Sequence, residues 1–438
     1  MLEWGRAIML DIKYIRENLQ KVRQNVRDRG MKDLDPQRAV ELYEQRNQAR
    51  QRLDELRAER KQNAQVMKQK MEAGAREQRI ERGRQLKEEI ARVEEDVARI
   101  SAQFEEAWCA IPNMTHPDVP VGREGEGTVL EVVGEPPRMA FEPKDHVILG
   151  SELGLIDFES AARVAGQKFY YLTNEAALLE LALINFAMAR LVAKGWTPVI
   201  TPDLARTAVL DGIGFNPRGE ETQIYSIAGT DLCLIATAEI TLGGMHQGAI
   251  LQADQLPICY VGLSHCFRTE AGAHGAASRG LYRVHQFSKV EMFAFTRPDQ
   301  SEAMHERMRA LEVELFRELG LCFRVVDIPT GDLGAPAWRK FDLEVWMPSR
   351  GDWGEITSTS NCTDYQSRRL GVRYRDAQGE IQPVHTLNGT AVAVSRALLA
   401  ILENFQQPDG SVVIPEVLRP FMGGQHVIRA QKPWPAPS

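Results

Sequence analysis

The stretch SHCFRTEAGAHGAASRGLYRVHQFSKVEMF, residues 264–293, poses the question on which the fold turns. Two runs of strand character flank a loop of small residues, and arginines stand on both sides of it. Successive strand side chains point to opposite faces, so a hairpin predicts Arg268 and Glu270 on one face and lets Arg283, Phe287 and Glu291 share another. Arg279 lies in the loop between them. Such a surface has an arginine clamp for phosphate, an aromatic plate for a base, and carboxylates for an amine or Mg²⁺. From this stretch alone, a hairpin with solvated charges is the commoner reading.

Working outward, further strand-like runs precede the stretch (LCLIATAEI, 232–240) and follow it (FRVVDIP, FDLEVWMP and WGEITSTS, between 323 and 360). Helical patterns fall at 176–195, 299–319 and 390–406. Meandering strands packed by helices predict an α+β domain built on an antiparallel sheet rather than a doubly wound one. No glycine-rich dinucleotide fingerprint follows a strand and no P-loop is present, so a nucleotide would have to be held by side chains on the sheet.

Toward the N-terminus the composition changes. There is no proline between Pro36 and Pro112, and Leu86, Ile90, Val93, Val97, Ile100 and Phe104 recur at alternating steps of four and three. That is a heptad seam. The sequence KQKMEAGAREQ (68–78) interrupts it, which predicts an antiparallel coiled-coil hairpin over about residues 36–108. A dimerisation rod would satisfy the seam equally well. Between Lys61 and Arg84, however, seven Lys and Arg residues face three acids, a charge excess that a phosphate-binding arm requires and a rod does not. The boundaries expected are an N-terminal domain at 1–110, a Pro/Gly-rich linker at 111–135, a main domain at 136–427 and a disordered tail at 428–438.

The bulk numbers agree with a localised polyanion contact. The 438-residue chain has a net charge of −7, yet residues 1–108 carry 24 cationic against 21 acidic side chains. Six cysteines lie far apart with no C-x-x-C pair, which argues against a disulfide framework and a local zinc site and fits a reducing, cytoplasmic setting. No uninterrupted apolar run reaches bilayer length, and no membrane association is expected. The spacing of His265, His274 and His285 matches no compact metal motif.

These segments, taken in order, resemble the seryl-tRNA synthetases of the class II aminoacyl-tRNA synthetases, in the bacterial and organellar form. KGWTPVITPDL (194–204) is similar to motif 1, FRTEAG with RGLYRVHQFSKVE to motif 2, and LNGTAVAVSRALLAILEN (387–404) to motif 3. TAE (237–239) and GEITSTSNCTDYQSRR (354–369) resemble the seryl branch in particular, as does the N-terminal hairpin. Ala236, Thr357, Thr359 and Ala391 depart from the commoner family text without removing a ligand.

The resemblance implies a serine–tRNA ligase: serine and ATP give seryl-adenylate and pyrophosphate, and the seryl group passes to the 3′-terminal adenosine of tRNA(Ser), with tRNA(Sec) a further candidate. It implies that ATP is held by Arg268, Thr269, Glu270, Arg283, Val284, Phe287, Glu355, Ile356, Thr357, Ser358 and Arg396. Arg268, Glu355 and Arg396 would be catalytic, and Glu355 and Ser358 would hold Mg²⁺. Serine would be surrounded by Thr237, Ala238, Glu239, Arg268, Glu291 and Thr390, and Pro202 would lie at a homodimer interface. No zinc is expected, because the cysteine pattern of the zinc-dependent variant is missing. Two rivals are a ligase loading an amino acid onto a carrier protein and an inactive paralogue. The arm at 36–108 opposes the first, and the intact Arg268, Glu270, Arg283, Glu291, Glu355 and Arg396 oppose the second.

Overall fold

Asp35 begins the long hairpin: its carboxylate accepts the Gln37 N–H, and Pro36 fills the first helical position, where no amide donor is needed. A computed structural model describes residues 10–215, 223–271 and 280–430, and its backbone contacts divide them at Met114/Thr115 into two units. In the first unit, α1 (Ile12–Glu17) and α2 (Leu19–Asp28) precede α3 (Pro36–Val66) and α4 (Ala73–Cys109). The two long helices and the break between them fall where the heptads predict. Leu53 and Leu56 are buried against Leu86 and Ile90 along the seam. At the base, Phe104 stacks on Trp108 at 4.9 Å within a cluster containing Ile12, Ile15 and Val22, and the Trp108 indole donates to the Leu10 carbonyl at 2.9 Å. Burying each such side chain contributes about 1.5–3 kcal/mol, so the hairpin's order rests on its seam and base.

The second unit is built on an eight-stranded sheet. Its strands are β1 (Thr128–Val133), β2 (Thr197–Ile200), β3 (Ile258–Phe267), β4 (Gln286–Thr296), β5 (Phe323–Asp327), β6 (Arg339–Met347), β7 (Asp352–Asn361) and β8 (His385–Ala393), in the order β1-β5-β6-β7-β8-β4-β3-β2. Every pairing is antiparallel except β2 with β3, which is parallel. Part of the stretch expected as linker therefore serves as the edge strand β1. Helices α5 (His146–Glu152), α6 (Asn174–Ala193), α7 (Ala238–Gly244), α8 (Ser301–Glu318) and α9 (Val394–Asn404) complete the elements that matter below. Leu179, Leu183 and Phe186 of α6, Met308 and Phe316 of α8, and Leu398 and Leu402 of α9 join Met292, Leu343 and Leu387 in the main core.

Five expectations need correction. The run 232–240, expected as strand, is strand only at Leu232–Leu234 and turns into α7 at Ala238. The helix expected to begin at residue 390 begins at Val394, because residues 385–393 extend the sheet as β8; Thr390 is thus a strand residue opposite Glu291. The second half of the opening stretch becomes strand at Gln286 rather than Tyr282, so Arg283 precedes β4, while Phe287 and Glu291 do share a face of it. Arg268 and Glu270 lie beyond the end of β3 at Phe267, and Glu270 has φ of +51°, which breaks the strand alternation. Finally, α6 is long and apolar enough to cross a membrane by length and composition. Its apolar face instead packs in the core, and it carries Glu180, which accepts from Ser288 at 2.5 Å, and Arg190, paired with Glu318 at 2.8 Å. Arg279 and His274 lie outside the described residues, as do residues 431–438 of the tail expected from 428, whereas Ile428 is buried and pairs with Val412.

Candidate functional site

One face of β4, β6, β7 and β8 is left open by the helices, and over it lies a cavity of about 690 Å³. Because strand side chains alternate, residues at every second position reach it: Phe287, Lys289 and Glu291 from β4, Ser358 and Ser360 from β7, Asn388 and Thr390 from β8, with Lys340 from β6. The loops beyond the strand ends add Arg268, Glu270, Tyr282 and Arg283, and the first turn of α9 adds Arg396.

At one end, the Arg396 guanidinium sits 3.1 Å from a Glu355 carboxylate oxygen and donates to the Glu355 carbonyl at 3.1 Å. It also lies 4.7 Å over the Tyr282 ring, whose hydroxyl donates to the same carbonyl at 3.2 Å. Burial works against ionisation of Glu355, but Arg396, Lys340 and Arg268 outweigh it and hold the carboxyl well below the usual range. Lys340 is itself 3.0 Å from Asp342, whose acidity burial weakens. The other Asp342 carboxyl oxygen is buried with no hydrogen-bond partner among the described residues.

In the middle, Arg268 lies 5.4 Å from the centre of the Phe287 ring, and its Nε donates to the Ala236 carbonyl at 3.4 Å. Its backbone is fixed on both sides by His285: the Arg268 N–H donates to the His285 carbonyl at 3.0 Å, and the His285 ring bonds the Arg268 carbonyl at 2.9 Å. Glu270 is held by Arg283 at 3.3 Å with its carboxylate mostly shielded from solvent. A glutamate in the left-handed region costs about 1–3 kcal/mol, a strain that surrounding contacts sustain and that aims the side chain inward.

At the other end, Thr390 donates to Glu291 at 3.1 Å, and Lys289 pairs with Glu291 at 2.7 Å. Thr237 caps α7 by accepting the Glu239 N–H at 3.2 Å. Glu239 accepts from Asn388 at 2.9 Å and from Gln366 at 2.6 Å, within the short helix Tyr365–Leu370. Burial, and next the nearby Glu291 charge, push Glu239 up to about 7. Two carboxylates, a hydroxyl and an amide thus line this end, a donor set that suits a small amine-bearing polar molecule.

Most of the residues singled out in the sequence meet here. Arg268, Glu270, Arg283, Val284, Phe287, Glu355, Ile356, Thr357, Ser358, Arg396, Thr237, Glu239, Glu291 and Thr390 all line the one cavity. Thr357 does so with its hydroxyl committed to Glu312 of α8 at 3.1 Å. Ala238 is buried in α7 beside the cavity, and the Thr269 N–H bonds the Gln223 carbonyl at 3.1 Å; neither is among the lining residues. Pro202 is exposed just beyond β2, at the sheet edge. Lys289, Lys340, Tyr282 and Asn388 were missed. The alternation that marked Phe287 and Glu291 also marks Lys289, and the spacing from Thr390 marks Asn388; Lys340 had no comparable local signal.

Two family models match the chain: the tRNA synthetase class II core domain (G, H, P, S and T) over residues 225–405, and the seryl-tRNA synthetase N-terminal domain over residues 9–115. A serine–tRNA ligase of Treponema denticola is 54% identical over 95% of this chain and 99% of its own length. One from Rubrobacter xylanophilus is 54% identical over 97% and 100%. Among solved structures, a seryl-tRNA synthetase from Pyrococcus horikoshii complexed with ATP superposes with a TM-score of 0.87, at 40% identity over 97% of this chain and all of that one.

Proposed function

The chain belongs to the seryl-tRNA synthetase family and is a serine–tRNA ligase, and from that premise we propose how its own residues divide the reaction. ATP lies across the middle of the cavity with its adenine against Phe287 and its α-phosphate at Arg268. Glu270 meets the adenine end, with Val284, Ile356 and Thr357 forming the walls around it and Thr269 behind them, its N–H anchored on the Gln223 carbonyl. Arg283 and Arg396 take the outer phosphates. Serine occupies the Glu291 end, its ammonium between Glu239 and Glu291 and its hydroxyl within reach of Thr390 and Glu291.

Adenylate formation brings a carboxylate onto an anionic α-phosphate, and charge grows on the departing pyrophosphate. No covalent nucleophile is needed. Fixed cations and in-line positioning carry the step, and they act strongly because the cavity replaces water with pre-oriented groups. The Glu355–Arg396–Tyr282 constellation is the observation that carries this reading: it holds a guanidinium rigidly and keeps a carboxylate ionised beside it.

The ionised Glu355 and the Ser358 hydroxyl both line the cavity and are oxygen donors of the kind Mg²⁺ takes. Mg²⁺ characteristically takes one or two carboxylates and completes its shell with substrate phosphates and water. Bound there, it would neutralise phosphate charge; Glu355 and Ser358 would hold it.

The pocket discriminates by hydrogen bonding. Thr390 and Glu291 already satisfy one another, so alanine would forgo only the hydrogen bond that the serine hydroxyl makes to this charged pair, about 1.5–3 kcal/mol. For the tRNA, Lys61, Lys68, Lys70 and Arg76 near the hairpin turn form no ion pair among the described residues, whereas Arg57 and Arg82 further down are paired with Glu94, Glu59 and Glu89. Unneutralised cations at the tip suit tRNA(Ser) phosphates, and tRNA(Sec) would meet the same surface. The exposed Ile200 on the sheet edge, next to Pro202, supports a homodimer through that edge. All six cysteines are free thiols, which suits the cytoplasm.

The test is serine-dependent exchange of pyrophosphate into ATP, followed by aminoacylation of total tRNA. Exchange with serine, and far less with alanine, glycine or threonine, is expected. Preferential exchange with another amino acid would overturn the substrate assignment.

A further inference from the structure

Behind the nucleotide end of the cavity lies a buried relay that the reaction scheme does not use. Glu403, in the last turn of α9 and almost fully shielded, accepts the His146 N–H at 3.2 Å and the His146 Nδ1 proton at 2.8 Å. On its other oxygen it accepts the Ser349 hydroxyl at 2.6 Å and, more weakly, the Ser349 N–H at 3.4 Å. The far nitrogen of the same ring, His146 Nε2, receives the Leu281 N–H at 3.1 Å. A backbone amide can only donate, so Nε2 is the acceptor and Nδ1 carries the proton. The ring is thus locked as one neutral tautomer.

What the relay joins gives it meaning. Leu281 is followed by Tyr282 and Arg283, Ser349 by Arg350, and Glu403 lies seven residues, or about two turns, beyond Arg396 on one helix. The Tyr282 ring is flanked by the Arg396 guanidinium at 4.7 Å and that of Arg350 at 5.1 Å. His146 and Glu403 therefore tie together the three segments that carry Tyr282, Arg350 and Arg396. Gly280 shows how tightly: it has φ of +67°, and a Cβ there would stand 2.2 Å from His146 Nε2. Only glycine admits the chain so close to the ring.

We propose that His146, oriented by Glu403, is a positioning residue for ATP: its Nε2 fixes the Leu281 amide and so sets where Tyr282 and Arg283 stand against the phosphates. This rests on the placement of ATP given above. It acts through Leu281, not by touching substrate.

Pyrophosphate exchange on the full chain tests it. His146→Leu strands the buried Leu281 N–H and is expected to raise KM for ATP about 10–100-fold while leaving KM for serine within about twofold. His146→Gln places an amide oxygen near the lost nitrogen and is expected to restore most of the ATP affinity. A purely structural role would lower kcat in step with the fraction of folded protein and leave both KM values alone; that result overturns the proposal, as does a Gln variant no better than Leu. If His146→Leu does not fold, Gly280→Ala presses on the same contact from the other side. The same selective rise in KM for ATP supports the clamp, and unchanged ATP affinity refutes it. Wild-type protein without serine-dependent exchange would instead sink the placement of the substrates, which keeps the two failures apart.

Discussion

The hairpin arm and the sheet cavity both gather cations, and they do so under opposite physical conditions. On the arm the guanidinium and ammonium groups stand in water, where a contact falls off within a Debye length of about 8–10 Å and an exposed ion pair contributes about 0–1 kcal/mol. Arg57 with Glu94 and Arg82 with Glu59 are pairs of that kind. In the cavity Arg396, Lys289 and Lys340 are shielded, each with a carboxylate within 3.1 Å. The arm can recognise only a large polyanion, through many weak, salt-sensitive contacts. The cavity can act on a single phosphorus atom.

The largest expected effect lies in the cavity. Arg268→Ala removes the cation that the proposed binding mode sets against the α-phosphate and is expected to lower kcat/KM for exchange by about 10²–10³-fold or more, with the melting temperature nearly unchanged. A loss below tenfold would mean that Arg268 does not meet the reacting phosphate. Next comes the arm: replacing residues 61–84 with a short turn is expected to leave exchange within about twofold yet lower charging by more than about 10²-fold. Charging that survives this deletion would refute the arm's role. Neutralising Lys68 and Lys70 alone should weaken charging less and reduce the dependence of log K on log salt by about 0.7–0.9 for each phosphate that is no longer neutralised.

A smaller effect separates the two regions by pH. Glu239 is raised to about 7 by burial and by Glu291, so in the free enzyme it gains a proton as pH falls through that value. A neutral acid no longer attracts an ammonium, and kcat/KM for serine is expected to fall toward tenfold per unit below pH 7. Glu239→Gln should flatten that limb; an unchanged profile would show that another group titrates. Smallest is Arg57→Ala on the arm, expected to cost under about 1 kcal/mol of stability and to leave charging intact.

The contrast between regions also explains what could be read in the sequence. The arm was legible almost to the residue because a helical seam is a local, periodic signal: Leu86 to Phe104 announces α4 and the break announces the turn. The cavity was legible in its members, since Phe287 and Glu291 repeat at strand period and the family resemblance supplied Arg268, Glu355 and Arg396. It was not legible in its geometry. Glu270 leaves the strand path through a positive φ that only the folded surroundings sustain, and Thr390 reads as helix because the apolar run continues from β8 into α9. Lys340 enters from β6, about 50 residues from its nearest recognised neighbour on the N-terminal side, so nothing in its local sequence marks it. His146 lies further away still, and its partners at 281, 349 and 403 meet only in the folded chain.

A structure of the protein with a non-hydrolysable seryl-adenylate analogue tests the central claim most directly. The account predicts the adenine against Phe287, the phosphoryl mimic on Arg268, and the seryl ammonium between Glu239 and Glu291. An analogue bound with its phosphoryl group away from Arg268, or outside this cavity, would contradict it.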